Sequence, residues 1–168
     1  MVDYDRGLSD MEALKESAQR VQNILAEMGY SNQVVELPDS TRTAQEAAEA
    51  IGCEVAQIAK SIIFRLAESN RALLVVASGM NRVNERHVSA LVGEKLKKAD
   101  AEFVREHTGF VIGGVPPVGH SKEITTVIDK DLFQYETVWA AAGHPKAVFA
   151  CTPHELAAFT KGQVITVT

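Results

Sequence analysis

The chain has 168 residues, a net charge of −5, and 46% hydrophobic against 23% charged residues. That is the length and balance of one globular domain able to bury a sizeable core, and it excludes intrinsic disorder. The acidic total argues against a general nucleic-acid coat, and no apolar run is long enough for a bilayer or a signal-peptide core, so a cytoplasmic protein with no membrane partner is expected.

The first element reads as a helix within residues 1–30. Ser9 and Glu12 form a capping box, and Leu14, Ala18, Val21, Leu25 and Met28 repeat as one apolar stripe ended by Gly29. A short strand follows at Val34 to Leu37, closed by Pro38-Asp39. Thr43 and Glu46 make a second capping box, for a helix closing near Gly52. Val55 to Lys60 reads as a helical turn and Ser61 to Leu66 as a strand, paired through the polar link 68–71 with a strand at Leu73 to Ser78. Asn84 caps a helix reaching Leu91, with Gly93 behind it, and Asp100 caps another ending near Gly109.

A loop follows from Thr108 to His120, holding four glycines and two prolines. Thr125 to Ile128, Val138 to Ala142 and Ala147 to Ala150 read as strands. Thr152, Pro153 and Glu155 open a last helix stopping near Gly162, and Val164 to Val167 is a final strand. Strands and helices mix without a βαβ rhythm. The expected fold is α+β: one domain, 1–168, with a mixed, largely antiparallel sheet flanked by helices.

Charge is uneven. Residues 58–105 carry 9 basic and 5 acidic side chains, whereas residues 1–57 carry 4 and 11. Arg82, Arg86, Lys95, Lys97 and Lys98 lie in that basic third. They suit a phosphate backbone, or equally a solvated surface. The cysteines, Cys53 and Cys151, are far apart and read as small core residues of a reducing compartment. No HExxH, CxxC or GxSxG pattern occurs, so neither a metal site nor a covalent nucleophile is expected.

Three positions carry candidate chemistry. In TGFVIGGVPPVGH, Gly113-Gly114 lets backbone approach a ligand and aim N–H groups at an oxyanion or phosphate, while Pro116-Pro117 stiffens the rest of the loop; the same residues also suit a tight structural turn. Lys60, before the apolar run Ile62-Ile63-Phe64, is either aimed inward at an anion or a solvated element end. His144, in AAGHPK, is either a hydrogen-bonding partner for a polar substrate group or an exposed turn residue. Lys60, Gly113, Gly114 and His144 all sit at expected loops or element ends, and we expect them to converge on one pocket.

Taken in order, Thr41-Arg42-Thr43 with its Ala-rich helix, Gln57-Ile58-Ala59-Lys60-Ser61, the loop Gly109 to His120 with GGVPPVG, and Ala142-Gly143-His144 resemble the YbaK-like proteins and the editing domain inserted in bacterial prolyl-tRNA synthetases. The resemblance runs from about Val34 to the C-terminus and implies a core of residues 34–168 with a curved, mixed sheet. It implies a cofactor-free aminoacyl-tRNA deacylase that hydrolyses the ester between an amino acid and the terminal adenosine of tRNA. Lys60 then helps hold the acceptor end, Gly113 and Gly114 approach the substrate carbonyl, and His144 stands by the amino-acid pocket. Thr43, Ser61, Val115, Pro116, Gly119, His120 and Gly143 are the implied substrate-binding residues, and the basic third is the implied tRNA contact. The alanine-clearing branch carries asparagine where this chain has Ser61, and the cysteine-clearing branch lacks the histidine at 144. A small amino acid on tRNA for proline is the first expectation, with a prolyl-tRNA synthetase as partner. Cys-tRNA(Pro) or Ser/Thr-tRNA deacylation, or a non-catalytic tRNA- or synthetase-binding module, are the alternatives.

Overall fold

The computed structural model describes residues 16–37 and 43–168. The Ser9–Glu12 box, Leu14, Pro38-Asp39 and Thr41-Arg42 lie outside the described residues. The helices are α1 (16–27), α2 (Ala44–Ile51), α3 (Glu85–Val92), α4 (Ala101–Thr108) and α5 (Pro153–Thr160). The strands are β1 (Val34–Glu36), β2 (Ile58–Leu66), β3 (Ala72–Ser78), β4 (Leu96–Lys98), β5 (Thr125–Asp129), β6 (Val138–Ala141), β7 (Ala147–Cys151) and β8 (Gln163–Ile165). They form one mixed sheet in the order β1-β7-β6-β2-β3-β5-β8, with β4 also pairing β2. No helix among the described residues is long and apolar enough to cross a membrane.

Helix ends follow the sequence closely, because a cap is a contact between near neighbours. Thr43, Asn84, Asp100 and Thr152 each accept the backbone N–H three residues on, a bond worth about 1 kcal/mol per helix. Gly52, Gly93 and Gly109 close α2, α3 and α4 in the left-handed region. The last helix also stops near Gly162, as expected, and the left-handed residue that closes it is Lys161, at φ 54°.

β3 lies between β2 and β5 and is buried at all seven residues, as a continuous apolar run predicts for a strand covered on both faces. Its side chains alternate. Leu74 and Val76 join the core shared with Val21 and Leu25 of α1, Val104 of α4 and Leu156 of α5. Leu73, Val75 and Ala77 join Val88 of α3 and the C-terminal Val167 on the other face. A third, small cluster packs Ala47 and Ala48 of α2 on Ile58, with Trp139 against it.

Four corrections concern single elements. The helical turn expected through Lys60 ends at Gln57, and β2 starts at Ile58, so Lys60 lies within a strand. Leu96–Lys98 is a strand that the pattern did not announce. The last strand ends at Ile165, short of Val167. Met28, placed on the apolar stripe, is 43% exposed just past the helix.

Candidate active site

β2 is nine residues long and its two edges are treated differently. One edge pairs with β3 without a break from Ala59 to Arg65. The other pairs with β6 only at Ile58 and Ala59, and with β4 only from Phe64 to Leu66. Between these contacts, no strand of the described residues covers positions 60–63. Ile58 O accepts from Gly79 N–H, and Leu66 N–H donates to Arg71 O. Those two bonds fix which residues face β3. By the alternation of an antiparallel ladder, the N–H and C=O of Ser61 turn to the uncovered edge. The site is built at this gap.

A cavity of about 220 Å³ opens there. Five of the residues singled out from sequence line it: Thr43, Lys60, Ser61, Gly113 and Val115. Small side chains, among them Ala47, Ala59 and Ala140, form much of the remaining wall, closed by Trp139 and Pro145. The sequence reading assigned no binding role to Trp139 or Pro145. The single tryptophan of the chain, and a proline directly after His144, were the signals available.

Lys60 is half-buried, and burial pulls its ammonium below the usual lysine range, opposed by the Asp129 carboxylate. Asp129 is 1% exposed and takes bonds from Ser78 N–H and Asn81 Nδ2 at 3.0 and 2.8 Å on one oxygen, and from Asp131 N–H at 2.9 Å on the other. Its charge is thereby fixed beneath the end of β3. The buried Oγ of Ser61 has no partner among the described residues, a cost that a bound polar group would remove. The Thr43 hydroxyl is engaged at Glu46 by the α2 cap, which makes Thr43 a wall more than a donor.

The double glycine divides. Gly114 N–H donates to Val111 O at 3.1 Å, and Gly114 O accepts from Gly143 N–H at 2.9 Å. Its backbone is spent on holding two loops together. A Cβ at 114 would stand 2.7 Å from the Cα of His144, so only glycine permits this approach. Gly113, at φ 89°, is exposed, lines the cavity, and its N–H has no acceptor among the described residues. The Val115 N–H is likewise unclaimed. Among the described residues, these two N–H groups remain without an acceptor beside the cavity.

Of the four residues expected to converge, Lys60 and Gly113 line the cavity, whereas Gly114 and His144 do not, nor does Gly143. His144 Nδ1 accepts from Lys146 N–H at 3.1 Å. Burial and then the Lys146 charge hold the ring below the ordinary histidine range, against Glu36. The neutral ring therefore carries its proton on Nε2.

Pro116, Gly119 and His120 do not line the cavity either. His120 Nε2 donates to Pro116 O at 2.6 Å and ties the loop to itself. Gly119 and His120 line a separate cleft of about 760 Å³ with Arg71 and Lys161. Arg82, Arg86, Lys95, Lys97 and Lys98 are all exposed. Lys97 and Lys98 project from β4, which adjoins the gap, and Arg82 and Arg86 flank the start of α3. Cys151 is buried and its thiol is pushed up to about 12 by that burial, so it stays protonated near neutral pH. Cys53 packs with α2 and Trp139.

Comparison with known proteins gives three kinds of likeness. Residues 38–159 match the model of the aminoacyl-tRNA editing domain. The chain is 32% identical over 148 residues to YwhH of Bacillus subtilis, a protein without an assigned role, covering 88% of this chain and 94% of that one. It is 33% identical over 94 residues to a proline–tRNA ligase of Limosilactobacillus fermentum, where the match spans 54% of this chain and 16% of the ligase. A crystal structure of a candidate trans-editing enzyme for prolyl tRNA synthetase superposes with a TM-score of 0.86 at 50% identity, covering 90% of this chain and 96% of that one.

Proposed function

The chain belongs to the aminoacyl-tRNA editing domain family, and from that premise we propose that it deacylates mischarged tRNA in trans, removing a small amino acid, with tRNA for proline as the first substrate. The observation that carries this reading is the cavity at the β2 gap. Its volume of about 220 Å³ and its alanine-rich wall suit a small side chain, and its rim holds a lysine, an unpartnered serine hydroxyl and unspent backbone donors.

The chemistry rests on those groups and on the nature of the ester. An aminoacyl ester is already activated, so positioned water can attack it without a protein nucleophile. The oxyanion that forms falls to the N–H groups of Gly113 and Val115, since the Gly114 N–H is already engaged. This narrows the pair of donors expected from sequence to its first member and the residue beyond the second. Lys60 steadies the negatively charged acceptor end. The ribose hydroxyl next to the ester is the group placed to guide the water. The Cys151 thiol, held protonated, does not attack. Neutral His144 acts through the loop it supports. Lys97 and Lys98, with Lys95, Arg82 and Arg86, take phosphates of the acceptor strand. The ligase that mischarges the tRNA is the partner that supplies substrate.

A deacylation assay over a panel of mischarged tRNAs tests the proposal. Turnover on small amino acids attached to tRNA for proline is expected. Lys60→Ala should cost on the order of a hundredfold in rate, the scale typical of misplacing a substrate that the lost side chain had positioned. Binding of tRNA without hydrolysis of any ester would instead establish a non-catalytic module.

A further inference from the structure

In the antiparallel ladder of β2 with β3, Lys60 lies opposite Ala77. The parallel ladder of β3 with β5 runs from Leu73 beside Thr125 to Val76 beside Ile128, and one residue further the same register sets Asp129 beside Ala77. Partners in a ladder share a face of the sheet. Lys60, Ala77 and Asp129 therefore form one row across three strands, on the face where Ile62, Val75 and Val127 pack. The Cα atoms at its ends are two strand spacings apart, about 10 Å. The residue between them has only a methyl group for a side chain. We propose that Asp129 is a positioning residue for the reaction: through its charge it keeps the Lys60 ammonium at the cavity, ready for the acceptor end of the RNA. The proposal rests on the deacylase reading and adds to it a residue that touches no substrate.

Each member of the row is costly without the other. Lys60 is half-buried, and among the described residues that line the cavity it is the one with a charge. An ammonium so placed gains by swinging out to water unless a negative charge holds it. The surrounding elements bring Glu46 on α2, and Asp129 and Asp131 at the end of β5. Of these, the Asp129 carboxylate is the one whose field acts on the ammonium, against the burial that disfavours it. Asp129 is itself 1% exposed, and among the described residues no cation stands within ion-pair distance of it. Its bonds from Ser78, Asn81 and Asp131 hold the carboxylate in one orientation. Those bonds call for an acceptor on each oxygen, so the fold alone accounts for an aspartate at 129. It does not account for a lysine in the same row with an alanine between them.

The test uses the intact protein and begins on Lys60 itself, titrated by carbon-13 NMR of its Cε with no RNA present. Removing a negative neighbour disfavours the charged form of a lysine. Lys60 should therefore lose its proton at lower pH in Asp129→Asn, its ionisation constant rising at least about threefold. Asn81→Ala takes one bond from Asp129 but no charge, and should leave that constant within about twofold. Deacylation then reads the consequence. Asp129→Asn should lower kcat/KM on mischarged tRNA roughly tenfold, but less than about twofold in the Lys60→Ala background. A purely architectural aspartate would carry the same loss into both backgrounds. Should Asp129→Asn fail to fold, two changes at position 60 decide. Lys60→Glu sets a second carboxylate in the row and should melt at least about 2 °C below Lys60→Gln. An unmoved Lys60 constant in Asp129→Asn, an equal shift in Asn81→Ala, an equal rate loss in both backgrounds, or equal melting of the two position-60 variants overturns the assignment and leaves the deacylase reading standing. A Lys60 constant that moves as expected, on a protein that hydrolyses no mischarged tRNA, supports the pair and removes the deacylase reading instead.

Discussion

The loop from Gly109 to His120 faces different neighbours at its middle and at its ends. Around Gly113 and Val115 it covers the open edge of β2 and keeps backbone N–H groups unclaimed. Around Gly109 and Gly119 it is gripped by α1. Arg20 reaches from that helix to Gly109 O and Gly119 O at 3.4 and 3.5 Å, with its guanidinium 4.3 Å from the centre of the Phe110 ring. His120 closes back on Pro116 at the C-terminal end. The middle keeps its N–H groups free while both ends are tied down. Rigidity and vacancy are thus supplied by separate residues a few positions apart, which is how a donor can be held in place without being consumed.

Glycine substitutions should separate support from vacancy most strongly. Gly114→Ala would put its Cβ 2.7 to 3.0 Å from backbone atoms of Gly143 and His144. Backbone cannot turn aside, so both loops must move. A displacement of this kind costs on the order of a hundredfold in turnover, and the melting temperature should fall with it. At Gly113 the added Cβ meets only Pro145 Cγ, at 3.6 Å. The cost of Gly113→Ala is then mainly its left-handed φ, about 1–2 kcal/mol. Turnover should drop more than that strain alone lowers the melting temperature. Equal behaviour of the two variants in both assays would erase the distinction between supporting and receiving glycine.

Arg20 offers a smaller and more selective test. Arg20→Ala releases both loop carbonyls and the contact over Phe110, and should lower kcat by roughly tenfold through misplacement of the donors. KM should move less, because Arg20 does not line the cavity. Arg20→Lys keeps the charge but not the planar fork, and should recover only part of the rate. A kcat equal to that of the parent protein in Arg20→Ala would show that the loop holds its shape without α1.

The smallest effect concerns pH. Burial keeps the His120 ring below the ordinary histidine range, against the bond to Pro116 O. With the folded pKa depressed, the unfolded chain takes up the proton first as pH falls. Stability is therefore full above the unfolded value of about 6.5 and declines from there down towards the folded pKa. The denaturation midpoint should be lower at about pH 5.5 than at about pH 7.5, and His120→Gln should reduce that difference. His144 is shifted in the same direction, so part of the decline should remain. A pH dependence unchanged in His120→Gln would detach the ring from the stability of its end of the loop.

What could be read from the sequence was what neighbours decide. Thr43, Asn84, Asp100 and Thr152 bond to groups three residues away, and their patterns located four helices. The apolar run at 72–78 announced the buried strand β3. Lys60, Ser61 and Gly113 were legible as candidates from the stretches that carry the family resemblance, but their meeting point was not. The gap depends on which strands pair with β2, and β6 and β4 come from far along the chain. β4 itself is three residues with two exposed lysines, too short to show alternation. Arg20 lies 89 and 99 residues from the carbonyls it holds, and nothing near it in sequence marks the contact. His120 was assigned to substrate, yet its partner is Pro116, only four residues before it.

Main-chain groups survive every substitution but proline, which removes the N–H. Whatever other side chain stands at position 61, its N–H and C=O remain turned to the gap, because the pairing with β3 sets their direction. The lining alanines and Trp139 set the shape of the cavity, so a change there alters what fits while the backbone groups at the gap stay in place. Drift at the walls can therefore reshape what the cavity admits without disturbing the main chain beside it.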